Sequence, residues 1–236
     1  MRPTLLTLLL LLAIPPGIAK SQDRILGLLA LPELFGASVC DRFTPQELTL
    51  HPAPNAKDTT GTVRVDDYWT FSDEMSCEGR LSVNMHPADG SDSTELPTRE
   101  FDYERPGAIV LERQDTWFKI RLADDSAWLQ ASERAEFHPL EKLLEEGLTY
   151  FTEEWDGHLY DSPGGARQET TRAPVTASGL EVTGSRWLNG RLWLEVSVLS
   201  HSQCDSPTEP RVVRQGWVPA HARSGDPAVW FYSRGC

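Results

Sequence analysis

Four cysteines, six histidines and several adjacent carboxylates are the residues of this sequence that could do chemistry. The cysteines are Cys40, Cys77, Cys204 and Cys236. They form no Cys-x-x-Cys pair and no Cys/His cluster at ligand spacing, so no metal site is expected. An even number in an exported chain points to two disulfides. Arithmetic leaves the pairing open, but Cys40–Cys77 with Cys204–Cys236 is economical if the two halves are separate domains. Each such bridge would contribute roughly 3–4 kcal/mol if unstrained. A nucleophilic thiolate needs a nearby histidine and an unpaired sulfur. Cys236 fits better as a clamp that pins the final segment Ala228–Tyr232. The histidines are His51, His86, His138, His158, His201 and His221, and no two of them show His-x-x-x-His spacing. The carboxylate pairs Asp66-Asp67, Asp124-Asp125, Glu145-Glu146 and Glu153-Glu154 are adjacent. Neighbours on a strand point to opposite faces, so they make poor acid/base partners. No phosphate loop, EF-hand or dinucleotide fingerprint appears, and no cofactor is expected.

Aromatic residues are the better candidates for a site. Tyr68, Trp69 and Phe71 sit together, as do Trp155 and Tyr160, and Trp230, Phe231 and Tyr232. Most must be packing residues, because a small barrel fills its interior with alternate strand residues. Tyr68, Trp69, Trp155, Tyr160 and His221 are the candidate lining of a shallow ligand groove. An acidic rim would favour a cationic or neutral ligand.

The chain has 236 residues and a net charge of −13, which argues against a nucleic-acid partner and against constitutive binding to anionic membranes. Residues 1–19 follow the plan of a secretory signal peptide. Arg2 precedes the apolar run Leu5–Ile14, Pro15-Pro16-Gly17 ends it, and Gly17-Ile18-Ala19 is a small-x-small cleavage site. The run is too short to span a bilayer. After cleavage the chain is expected to be soluble, without a membrane segment, and secreted or periplasmic.

Two stretches share one rhythm of short strands. In the first, Trp117, Lys119 and Arg121 alternate with Phe118, Ile120 and Leu122, the period of a strand with one buried face. In the second, Asn189-Gly190 marks a tight hairpin before the strand Arg191–Leu199. Val110–Leu129, and Gly216-Trp217-Val218-Pro219 after Leu192–Val198, resemble the core of bacterial SH3-like domains. Trp217 takes the place of Trp128. The first copy departs from the pattern at Ala127, where glycine is usual, and carries a polar insertion between Cys77 and Gly107. The resemblance implies an all-β fold of two small SH3-like β-barrels in tandem. Short helices are expected at Asp23–Leu31, stopped by Pro32, and at His138–Gly147, with Pro139 in its first position. The expected division is a signal peptide 1–19, an N-terminal docking segment with a short helix 20–44, barrel one 45–131, a helical connector 132–154 and barrel two 155–236.

Ser233-Arg234-Gly235-Cys236 also resembles the Ser-x-Gly-Cys stretch of L,D-transpeptidases. That resemblance stops there, because the Arg that normally follows and the His-Gly-Thr segment that precedes have no counterpart. The expectation is therefore a non-catalytic exported protein that binds a protein, a peptide or a peptidoglycan component. The alternatives are a small secreted hydrolase with carboxylates from distant positions, or an envelope assembly factor that docks through its leucine-rich segment 25–35.

Overall fold

A computed structural model describes residues 24–31, 47–70, 77–85, 93–168, 179–205 and 208–235, with the backbone alone at 66–70 and 77–81. The first half contains strands β1 (Gly27–Ala30), β2 (Leu48–His51), β3 (Gly61–Thr70), β4 (Cys77–Met85) and β5 (Thr94–Glu95). It continues with β6 (Thr98–Asp102), β7 (Arg105–Gln114), β8 (Trp117–Arg121), β9 (Ser126–Gln130) and β10 (Glu136–Pro139). Helix α1 (Leu140–Glu146) follows, then β11 (Thr149–Phe151), β12 (Leu180–Leu188), β13 (Arg191–Leu199), β14 (Val212–Pro219) and β15 (Val229–Phe231). The fold is mostly β, with one short helix among the described residues. No helix among them is long and apolar enough to cross a membrane. The signal-peptide segment 1–19 lies outside the described residues.

One strand order occurs twice. The first sheet runs β10-β1-β7-β8-β9 and then continues β2-β3-β4-β5, with β6 also paired to β7. The second runs β15-β11-β12-β13-β14. In each half the last strand returns beside the first, and the middle three form an antiparallel meander. Both second strands carry a register shift, between Val110 and Glu112 in β7 and between Val182 and Gly184 in β12. Both hairpins that follow use positive φ, at Asp115 (52°) in the first and at Asn189 (50°) and Gly190 (69°) in the second. The copies differ by an insertion. Strands β2 to β6 lie between the first and second strands of copy one, and β2 adds to the outer edge of β9 through Leu50 opposite Leu129.

The first expected helix is a correction. Gly27–Ala30 of the segment Asp23–Leu31 is strand β1, held between β10 and β7. Ile25 and Leu28 enter one core, while Leu29 and Leu31 enter the other. A strand buried on both faces reads as a continuous apolar run, without the alternation that identifies a half-buried strand. The run was therefore open to a helical reading. Gly27 is fixed by close approach, since a Cβ there would collide with the carbonyl oxygen of His138. The repeated strand order can be placed against the expected division. The first repeat of the strand order begins at β1, inside the expected docking segment, and ends at β10, inside the expected connector. The second begins at β11, before residue 155. Helix α1, Leu140–Glu146, falls within the expected His138–Gly147, with Leu140 and Leu144 fully buried. Pro139 is its N-cap and not its first helical residue.

Two cores result. One lies within the first sheet and contains Leu29, Leu50, Val63, Val110, Ile120 and Leu129. The other is shared by both halves. Ile25, Leu28, Ile109 and Leu111 meet Leu140 and Leu144 of α1 and Leu192, Leu194, Val196 and Phe231 of the second sheet. A polar clamp supports the same seam. Ser233 Oγ donates to Glu100 Oε2 at 2.9 Å, and Arg234 Nε donates to the same oxygen at 2.9 Å. The Arg234 guanidinium beside Glu100 lowers the carboxyl's pKa, with Ser233 acting in the same direction.

Because the second core is shared, urea unfolding should be one cooperative transition by tryptophan fluorescence and circular dichroism alike. Leu144→Ala should lower stability by about 2–5 kcal/mol without splitting that transition. Two separate transitions would mean that the halves fold independently. The clamp adds a pH signature. Its carboxylate is held below its unfolded value, so its contribution is present above that value and lost as pH falls through the folded one. Glu100→Gln should therefore lower Tm at pH 7 and have less effect at pH 3, measured by differential scanning calorimetry.

Candidate functional site

Among the expected groove residues whose side chains are described, Trp155, Tyr160 and His221 are engaged in packing and hydrogen bonding. Tyr68 and Trp69 are in β3, where the register places Trp69 opposite Glu78. Their side chains lie outside the described residues. Trp155 and Tyr160 share the loop that follows β11, and both are engaged in packing. The Trp155 ring stacks on Phe151 with centroids 3.7 Å apart, and its Nε1–H donates to the His158 carbonyl at 3.2 Å. Tyr160 exchanges backbone hydrogen bonds with Trp217, and its ring meets Trp193 edge-on at 5.2 Å. Its hydroxyl donates to Asp156 Oδ2 and accepts from Arg167 Nε, each at 3.2 Å. These contacts hold the loop against Trp193 of β13 and Trp217 of β14.

His221 is a correction. It is only 1% exposed, and Nε2 donates to the carbonyl of Ile25 at 2.8 Å. A buried ring bonded to backbone is not a groove wall. Sequence alone favoured exposure because His221 follows a strand end and precedes a polar loop. The contact that buries it comes from 196 residues earlier in the chain.

A concave site among the described residues lies elsewhere. A cleft of about 400 Å³ opens where β6 of the first half meets β11, β15 and their loops in the second. Its walls are aromatic, from Tyr150 and Phe151 of β11 and Trp230 of β15. Arg99 of β6 reaches across from the first half, with its guanidinium 5.5 Å from the Trp230 ring centre. Glu153, Glu154 and Asp226 also line the cleft. Among the described lining residues, three carboxylates stand against one guanidinium, an acidic balance.

Local bonds explain why these groups converge. Thr152 Oγ1 donates to the Pro227 carbonyl at 2.6 Å, and Thr152 N donates to the Ala228 carbonyl at 3.1 Å. Those two bonds tie the end of β11 to the entry of β15. Glu154 accepts from Ser224 Oγ at 3.1 Å, and Asp226 lies 3.8 Å from Arg121 of β8. Tyr150 packs on Tyr232, and burial raises the pKa of its hydroxyl, so it stays a neutral donor. A site of this kind can hold an apolar stem against the rings and a cationic head against the carboxylates.

Sequence reading singled out Glu153-Glu154 and the Trp230-Phe231-Tyr232 cluster separately, but did not join them. It missed Tyr150, Arg99 and Asp226. The usable signal was the string Thr149-Tyr150-Phe151-Thr152-Glu153-Glu154-Trp155, which sets aromatic and acidic residues side by side at a strand end. Among the described residues, no group of three or more His, Cys, Asp or Glu is placed to hold a metal ion. No free cysteine occurs among them, whereas Cys40 and Cys236 lie outside them and the Cys77 side chain is not described. Comparison with protein-family models, with curated proteins and with solved structures finds no match for this chain.

Proposed function

We propose that the chain is an exported, non-catalytic binding protein whose two halves are SH3-like barrels, and that the cleft between them is its ligand site. The observation that carries the reading is the cleft itself, about 400 Å³ and lined from both halves. That volume suits a small ligand or a short stretch of peptide. Its acidic balance favours a ligand with a cationic group, and its aromatic walls favour an apolar stem. A peptide, a peptidoglycan stem peptide or a segment of another envelope protein has that chemistry.

Two features support the barrel reading. Each half contains a five-strand order whose last strand pairs with its first, one of the pairings that closure of a small barrel uses. Each second strand also carries its bulge before the following hairpin, where a small barrel needs its strongest bend. Export and the pairing of Cys40 with Cys77 and Cys204 with Cys236 belong to the same proposal. The absence of a free thiol at Cys204 agrees with it. Non-reducing peptide mapping of the secreted protein should recover Cys204 linked to Cys236. A Cys77–Cys204 peptide would instead staple the halves to each other and would overturn that pairing.

Co-sedimentation of the oxidised mature protein with insoluble peptidoglycan, with assay of the supernatant for released fragments, tests the function. Pelleting without release is the expected result. Glu153→Gln/Glu154→Gln should weaken it about tenfold, equivalent to about 1.4 kcal/mol, while leaving Tm unchanged. Release of fragments would make the protein a hydrolase. If the protein neither pellets nor releases fragments, the wall is not its target.

A further inference from the structure

His221 is buried and titratable, and the cleft makes no direct use of it. It stands just after β14 and forms an isolated bridge with Pro227, a residue of the cleft. Its Nε2–H is spent on the Ile25 carbonyl at 2.8 Å, which fixes the neutral tautomer with a lone pair on Nδ1. Nδ1 is buried and has no hydrogen-bond partner among the described residues.

The bond to Ile25 joins the two halves at a sensitive place. Ile25 lies two residues before β1, and its side chain belongs to the shared core. The next residue is bonded on both sides, since Leu26 N donates to the Val110 carbonyl and the Leu26 carbonyl accepts from Leu140 N. The imidazole therefore fastens the entry of β1 to the loop 220–227 of the second half. The charged groups around it are mostly cations. Arg24 comes from the N-terminal segment, where its Nη1 donates to the Gly190 carbonyl at 2.7 Å. Arg191 comes from β13, and its Nη2 donates to the His221 carbonyl at 3.3 Å. Asp226, in the loop before β15, is the one carboxylate among the described residues that acts on the ring. Burial pushes the ring's pKa down to about 4. The Ile25 bond raises it, Arg24 and Arg191 lower it further, and Asp226 raises it.

We propose that His221 is an acid-sensitive latch between the two halves, whose protonation releases the segment before β1 from the loop 220–227 and parts the seam that the cleft spans. Protonation adds an N–H at the buried Nδ1, which has no hydrogen-bond partner among the described residues, and adds a positive charge beside Arg24 and Arg191. The opened state exposes the ring to water and lets it titrate normally. The closed state has the lower affinity for the proton, so closure is fully favoured above the open-state pKa and weakens as pH falls toward that of the closed state. Between an open-state value near 6.5 and a closed-state value of about 4, the open fraction should rise about 30-fold from pH 7.5 to pH 5.

Hydrogen exchange of the full oxidised chain, corrected for the intrinsic pH dependence of the rate, reads this directly. At pH 5 the amides of Leu26, Ala220 and Ala228 should lose about 30-fold in protection relative to pH 7.5, while Val196 in the second sheet and Ile120 in the first keep theirs. In His221→Gln, which retains a donor for Ile25 but cannot ionise, that pH response should vanish. Unchanged protection at those amides in the wild type would overturn the latch, and so would an equal loss at every amide, which is global unfolding. An unaltered pH response in His221→Gln would assign the effect to another group. His138 is the first to check, because its pKa is also lowered by burial and its Nε2 is likewise buried without a hydrogen-bond partner. Should His221→Gln fail to fold, an NMR titration of the wild-type imidazole decides. A midpoint below 5 upholds the latch, and a midpoint near 6.5 removes it.

Discussion

Strand β1 and the middle of β7, Gly107–Leu111, are buried on both faces, and that constraint organises the rest of the molecule. Val110 and Leu29 pack into the core of the first sheet, while Ile109, Leu111 and Leu28 pack into the core shared with the second. A strand with both faces buried cannot carry a polar residue on either side without an internal partner. The two halves are therefore two halves of one packing problem. The second sheet needs β1 and β7 as its lid, and those strands need the second sheet to cover their outer residues. Gly27 is where this is tightest, because the backbone of β10 runs where any side chain would stand.

The site follows from that packing. Helix α1 and β11 turn the chain from one half into the other within about a dozen residues, so the end of β6 and the entry of β15 face each other across a short seam. The clamp from Ser233 and Arg234 to Glu100 fixes β6 there, one residue from Arg99. Arg99 can reach Trp230 only because β6 is an insertion into the first half that leans on β7. The insertion between the first two strands of copy one thus has a positional consequence: it brings one wall of the cleft.

How much of this was legible in the sequence varied with burial. The meander β7-β8-β9 declared itself through Trp117–Leu122, where one face is buried and the other carries Lys119 and Arg121. The hairpin before β13 declared itself through Asn189-Gly190, since both residues do adopt positive φ. The connector helix was visible in Leu140, Leu143 and Leu144. Strand β1 was not, because burial on both faces erases the period of two, and seven residues of Ile, Leu, Gly and Ala suit a helix as well as a strand. The cleft was illegible for a different reason. Arg99, Glu153 and Asp226 come from three separate segments, and only the sheet order brings them to one place. Trp155 and Tyr160 were the natural candidates by residue type, yet their rings are spent on Phe151 and Trp193.

Charge is distributed along the seam in a way that the net value of −13 conceals. Around His221 the charged groups among the described residues that act on the ring are Arg24 and Arg191 against Asp226. In the cleft they are Glu153, Glu154 and Asp226 against Arg99. Asp226 belongs to both sets, and the loop 221–227 that carries it is held at one end by His221 and at the other by Thr152. The cationic pocket and the acidic cleft are therefore two ends of one short segment. A change of charge at the buried ring acts on the same backbone that presents Asp226 and Pro227 to the cleft. The coupling needs no long pathway, because the imidazole and the ligand site are separated by the length of one loop.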